Sequence, residues 1–285
     1  MRPHYAHELV INGTNMKNYG LTLRQGSVKN TLVIPKYKDV KSTDWQESDG
    51  LEVDLSSPVF QRREFDLTLC GPSARMAYQV ANDTCEYASI SVTNTPINLS
   101  KCRVTRITQY STLDEYAFST MRITSDDDPA AIISQHSSMD FPSLPYIEPV
   151  QFLYDGAREV NFGAIGVRVL KGWYGQANMP AAVKQGLERD ISTIAGKICD
   201  SHNGNPTFQS KTLSLSCLLH AGTNLDEFWS RYLNFLYRLT RPGGCLLEID
   251  GIDNTYMFDG LTVGEYIPCR PAPWMKFNLN LVKID

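Results

Sequence analysis

Two stretches of this chain recur in the same order, and a chain that repeats itself folds as copies of one unit. Asn12-Gly13-Thr14-Asn15-Met16-Lys17-Asn18-Tyr19-Gly20 returns as Asp155-Gly156-Ala157-Arg158-Glu159-Val160-Asn161-Phe162-Gly163. Both Gly pairs align, as do the Asn and the aromatic before the second Gly. Each stretch follows an apolar run, Leu9-Val10-Ile11 or Phe152-Leu153-Tyr154, and so reads as a short strand entering a turn. Asn-Gly and Asp-Gly supply the positive φ that such a turn requires. Farther on, Pro58-Val59-Phe60-Gln61 returns as Pro206-Thr207-Phe208-Gln209. Behind it come Phe65, Leu67 and Leu69 in one copy and Leu213, Leu215 and Cys217 in the other, the alternation of a strand with one buried face. Chance recurrence of Gly and Pro turns would have to reproduce both matches in order.

The succession that follows also agrees. In the second copy Asn224 and Glu227 have capping-box spacing. Leu225, Phe228, Trp229, Tyr232, Leu233 and Leu236 then fall on one helical stripe that stops before Arg241-Pro242-Gly243-Gly244. The first copy has a weaker helix beginning near Pro72, with Met76, Ala77, Val80 and Ala81 on one face. Strand-like segments close each copy: 101–108 and 118–124 in the first, and 245–250, 255–261 and 276–284 in the second. The pattern predicts a β-rich α+β chain with a first module over 1–128, a linker over 129–149 and a second module over 150–285. Asp126-Asp127-Asp128-Pro129 and Phe141-Pro142-Ser143-Leu144-Pro145 break both periodicities and mark the linker. The copies differ most in their insertions, 34–57 and 173–205, the second read as carrying a helix around Ala181–Cys199. Insertions of this kind are where partner specificity resides.

Composition narrows the function. With 42% hydrophobic and 20% charged residues and a net charge of −4, the chain has material for real cores and lacks the clustered basic residues of a DNA-coating surface. No run nears the roughly 18 apolar residues of a membrane span, and Met1-Arg2-Pro3-His4-Tyr5 does not open like a secretory signal. A protein that stays in the cytoplasm, or in something assembled there, is expected. Cys70, Cys85, Cys102, Cys199, Cys217, Cys245 and Cys269 include no C-x-x-C pair, and several sit among apolar neighbours, as reduced structural thiols do.

The motifs of catalysis and metal binding do not occur. His4, His7, His136, His202 and His220 form no H-E-x-x-H pattern and have no Cys at zinc-ligand spacing; His220 reads as a structural His at a strand end. The Asp126–Asp128 run lacks the alternating oxygens, Gly and Glu of a calcium loop and reads as a solvated linker. There is no G-x-S-x-G, Walker or G-x-G-x-x-G signature, and neither Gly26 nor Gly172 opens a phosphate-binding helix. The pairs Asp114-Glu115 and Asp226-Glu227 have no spacing that makes them face each other as a glycosidase needs. No catalytic residue, cofactor site or metal site is predicted.

The opening strand with Asn12-Gly13 and Tyr19-Gly20, the loop ending in Asp49-Gly50-Leu51-Glu52-Val53-Asp54-Leu55, and the entry Phe60-Gln61-Arg62-Arg63-Glu64 into an alternating strand resemble modules of tailed-phage and prophage tail proteins. Distal tail and tail-tube-like proteins are the nearest in kind. The resemblance implies a β-sandwich or open barrel with a flanking helix, here in tandem, whose sheets line a ring and whose long loop reaches a neighbour. It departs from the single-module pattern in having two modules, which fits a trimer with pseudo-sixfold symmetry or a ring of six. The implied partners are further copies of the chain and neighbouring tail proteins in the virion tail, with DNA passing through the lumen without specific binding. Trp45, Asp49, Leu51, Arg62, Arg63 and Trp173 are the candidate interface residues. Trp45 is an aromatic anchor in a polar loop or a residue packed beneath it, and Arg62-Arg63 serves intersubunit salt bridges or passing nucleic acid. The alternative from another class is a monomeric carbohydrate- or protein-binding adaptor; an enzyme would need a pocket with convergent acids or a His.

Overall fold

The computed structural model describes residues 7–284 except 25, 73–74, 83–86, 114–115, 135–141, 155–156, 185–187, 191, 200–205, 221–223 and 269–271. Its first part runs β1 (Leu9–Ile11), β2 (Thr14–Asn15), β3 (Thr22–Leu23), β4 (Ser42–Thr43), β5 (Glu52–Val53), β6 (Arg63–Gly71), α1 (Arg75–Asn82), β7 (Ala88–Val92), β8 (Asn98–Leu113) and β9 (Tyr116–Ser125). After α2 (Pro129–Ser134) the second part runs β10 (Val150–Tyr154), β11 (Ala157–Asn161), α3 (Phe162–Ile165), β12 (Val167–Val169), α4 (Trp173–Asn178), β13 (Glu188–Asp190) and β14 (Lys197–Cys199). It ends with β15 (Thr212–His220), α5 (Leu225–Leu239), β16 (Cys245–Ile249), β17 (Ile252–Ile267) and β18 (Trp274–Ile284).

The fold is α+β and β-rich, and its two large sheets are topologically the same. One has the seven-strand order β2-β1-β7-β8-β9-β6-β3 and the other β11-β10-β16-β17-β18-β15-β12, which is the first order element for element. The described pairings in both are antiparallel. Six strand spacings across a flat sheet would put the edge strands roughly 29 Å apart. Yet β2 and β3 are joined by Met16–Tyr19, a single 3-10 turn, and β11 and β12 by the single turn α3. A 3-10 helix rises about 2 Å per residue, so the link cannot bridge that gap. Each sheet must therefore roll until its edges approach, an open barrel.

The turn joining those edges is built alike in both copies, though not in the register that the sequence match implies. Asn15 caps the first turn by accepting from Lys17 N, and Asn161 caps the second by accepting from Gly163 N. Gly20 and Gly166 end the turns in the left-handed conformation. Asn161 thus corresponds to Asn15 and Gly166 to Gly20, in place of Asn18 and Gly163. The reason is the longer β11, five residues against two in β2, which slips the match by three positions after the hairpin. Asp155-Gly156 lies outside the described residues.

From Asn15 onward a single constant spacing relates the copies through their insertions. It pairs Gly26 with Gly172, both at positive φ, then Lys38 with Lys184, Asp44 with Asp190 and Gly50 with Gly196. The insertions are therefore equal in length up to β5 and β14, and each forms a β-hairpin. Ser42 pairs with Val53 and Thr43 with Glu52; Glu188 pairs with Cys199 and Arg189 with Ile198, the same register. This corrects the expected helix over Ala181–Cys199: Gly196 sits at φ 88°, where a helix cannot continue, and the chain turns back on itself. The Phe60 and Phe208 repeats are equivalent as well, bridging to Tyr37 and Val183. Lys38 N and Gln61 N donate to Val59 O and Lys36 O, as Lys184 N and Gln209 N donate to Thr207 O and Ala182 O.

What differs is the helix after the β6-type strand. The helix α1 spans 8 residues and α5 spans 15. Asn224 caps α5 by accepting from Glu227 N, and the Glu227 carboxylate pairs with Arg231. The α5 helix is buried on nearly every side. Phe235 packs edge-on against Phe152 and Phe162 and tilted against Phe277 in its own barrel, while Tyr232 Oη donates to Leu32 O and Trp229 Nε1 to Asn94 O across in the first. One continuous core results, running through both barrels. The 129–149 segment, expected as plain linker, carries α2 with Ile133 buried against the core, because α5 offers it an apolar face.

Candidate assembly interface

The first module's hairpin reaches the second barrel. Lys184 at its base is buried and donates to the carbonyls of Trp45 (2.6 Å), Ser48 (2.7 Å) and Gly50 (3.1 Å). The Asp44 carboxylate lies 2.6 Å from the same ammonium. Three N–H donors shared among four oxygens hold a charge that would be costly to bury unpaired. Around this clasp Gly50 N donates to Phe208 O, Phe208 N to Asp49 Oδ1, Thr207 Oγ1 to Gln46 O, and Gly243 N to Leu55 O. The loop takes this shape because Gly50 at φ 73° turns its carbonyl and amide toward the second barrel. Apolar contacts continue the seam. Tyr37 and Phe60 meet Phe258 at 6.0 and 6.2 Å between ring centres, and Ile34 bridges to Leu261.

The six expected interface residues fall in different places. Asp49 is bonded in the clasp. Trp45 gives its carbonyl, while its exposed indole donates to Glu52 Oε2 across the hairpin. Leu51 is half-buried just before β5. Trp173 opens α4 and packs on its own core beside Tyr174. Arg62 pairs with Asp126 at 2.7 Å. Arg63 is buried, and its Nε and Nη1 have no hydrogen-bond partner among the described residues. Burial lowers its pKa, against the opposing influence of Tyr232, Cys102 and Asp127. Sequence reasoning missed Lys184, which nothing in its neighbourhood marks; its equivalence to Lys38 is the available signal.

A cleft of about 910 Å³ lies beside Lys38 and Val59 on the first module and is lined also by Arg63 and Asp126–Asp128. Those aspartates were expected to be a solvated charge run, yet each is engaged. Asp126 pairs with Arg62 and Arg103, and Asp128 accepts from Ala130 N at the start of α2. Asp127 accepts from Ser100 N, Lys101 N and the Ser100 and Ser125 hydroxyls, tying β8 to the end of β9. Burial opposes its charge, but those donors outweigh it and hold its carboxyl below the ordinary range. These carboxylates bind the fold together. Burial pushes the Cys102 thiol up to about 12 and raises those of Cys217 and Cys245, so they remain protonated. His4, His136, His202, Cys85, Cys269 and Asp114-Glu115 lie outside the described residues. No three His, Cys, Asp or Glu side chains converge to hold a metal ion, and no helix is long and apolar enough to cross a membrane, among the described residues. No family model matches the chain, and no curated protein matches it in sequence.

Proposed function

We propose that this protein is a structural subunit of a phage or prophage tail, in the distal-tail, tube or baseplate ring, and that it works by oligomeric assembly without catalysis. The observation that carries the reading is the hairpin arm: 44–50 reaches the next barrel and makes hydrogen bonds on it. An arm of this kind is a device for joining successive modules. Two open barrels in tandem, each with a short edge strand at either side, add to the case, since exposed edges are covered by assembly. The sequence resemblance supplies the tail setting, and the arm and the tandem barrels support assembly. Partners would be further copies of the chain and neighbouring tail proteins, with DNA crossing the lumen unread. The test is solution mass across a concentration series with negative-stain images of large species. Rings of three or six chains with an open lumen are expected; a monomer at every concentration would overturn the reading.

A further inference from the structure

The clasp on Lys184 has a mirror that the single chain leaves open. Lys38 holds in the first module the place that Lys184 holds in the second, with the same backbone bonds on either side. Lys184 is buried by the first hairpin, whereas Lys38 is exposed at the rim of the large cleft. The amide and carbonyl of Phe208 are taken by Asp49 and Gly50; among the described residues those of Phe60 carry no such bonds. Val59, the counterpart of Thr207, stands 59% exposed. The first module therefore presents a receiving surface with nothing on it among the described residues.

The second module carries an arm that, among the described residues, makes no such clasp. Its hairpin has the register of the first, with Asp190 where Asp44 stands and Gly196, at φ 88°, where Gly50 stands at 73°. The apolar side chains along the same insertion tell the same story. Val28 and Tyr37 of the first module are buried, but their counterparts Tyr174 and Val183 are 60% and 54% exposed. Met179 and Ile194 are exposed on the same stretch. An apolar strip that is covered in one copy of a repeat and bare in the other marks a contact still to be made.

We propose that chains of this protein dock head-to-tail, the β13–β14 hairpin of one clasping Lys38 on the first module of the next. The contact repeats between chains the one that β4–β5 makes on Lys184 within a chain. Asp190 would pair with Lys38, the carbonyls of Ile194 and Gly196 would accept from its ammonium, and Gly196 N would donate to Phe60 O. Ala195 and Val59, standing where Asp49 and Thr207 stand, cannot supply those two polar bonds. Exposed Ile194 and Val59 put apolar surface there instead. Such an interface is heterologous, with donor and acceptor surfaces on opposite ends of the chain, so it propagates until it closes as a ring. The proposal rests on the assembly reading and specifies the surface that performs it.

The test is a charge swap on the full chain, read by mass photometry and sedimentation. Lys38→Asp and Asp190→Lys should each weaken self-association about 10- to 100-fold, the scale of one lost charge-assisted contact. The double variant should recover the part of assembly that rests on the Asp190–Lys38 charge pair, with melting temperatures unchanged in dilute, monomeric samples because both side chains are exposed. Restoration separates a broken contact from a broken fold. A Lys38→Cys/Asp190→Cys chain should give an oxidant-dependent ladder of cross-linked chains. Rings that form equally well in both single variants, with no ladder, would overturn this interface while leaving the assembly reading standing. A wild-type chain that stays monomeric would overturn both.

Discussion

Replacing Lys184 by Met tests the clasp directly, because it keeps the apolar stem and deletes the charge that four oxygens converge on. A hydrogen bond from a charged donor contributes about 1.5–3 kcal/mol, but these do not add. Trp45 and Ser48 are exposed, so their carbonyls regain water when the ammonium is gone, and the Asp44 side chain is 61% exposed already. The net cost of holding the hairpin down should then be about 2–4 kcal/mol, which raises its opening constant about 30- to 1000-fold. Amide hydrogen exchange reads that opening locally. Gly50 N and Phe208 N, both bonded only across the seam, should lose protection by that factor. The amide of Leu67, in β6 between β9 and β3, should keep its rate. Exchange at Gly50 within about threefold of wild type would refute the reasoning, since the ammonium would then not be what fastens the arm.

Arg231→Met removes a fully buried guanidinium that donates to Ala164 O, Ile165 O and Pro142 O and pairs with Glu227; a loss of about 3–5 kcal/mol should appear as a lower urea midpoint. Asn224→Ala removes the cap of α5 and should cost about 1 kcal/mol by the same measure, while Asn224→Asp should be nearly neutral. Asp127 has a depressed folded-state pKa, so its contribution is present above its unfolded value, about pH 3.9, and is lost as pH falls through the lower folded value. The midpoint gap between wild type and Asp127→Asn should accordingly be full at about pH 6 and close as pH falls below about 4; a gap unchanged at low pH would contradict the role given to this carboxylate. Gly163→Ala should destabilise the second module's turn, since a Cβ there would stand 2.4 Å from Tyr146 O, and a midpoint equal to wild type would show that the backbone yields.

The sequence announces the elements better than it announces what they touch. The alternation of Phe65, Leu67 and Leu69 against Leu213, Leu215 and Cys217, and the Asn224 cap before an apolar stripe, are strong local signals, and the strands and α5 stand where they point. The hairpins were hidden because their equivalence rests on Lys38 and Lys184, Asp44 and Asp190, Gly50 and Gly196, with little else alike between them. Strands of two or three residues also leave no periodicity to read. The clasp is invisible in sequence for a simpler reason: carbonyls of Trp45, Ser48 and Gly50 do the accepting, and every residue has a carbonyl. Likewise, Asp127 and α2 look like linker until the neighbours that bury them, β8 and α5, are in place.

The central claim is that the tandem barrels assemble end to end as successive, equivalent modules, and an image of the assembled particle tests it most directly. Electron cryomicroscopy of the wild-type chain should show a closed ring around an open lumen, with twice as many barrels as chains and each barrel joined to the next by one hairpin arm in the same orientation. Particles in which chains meet through a two-fold axis, or single chains with the 188–199 hairpin free in solvent at every concentration, would contradict it.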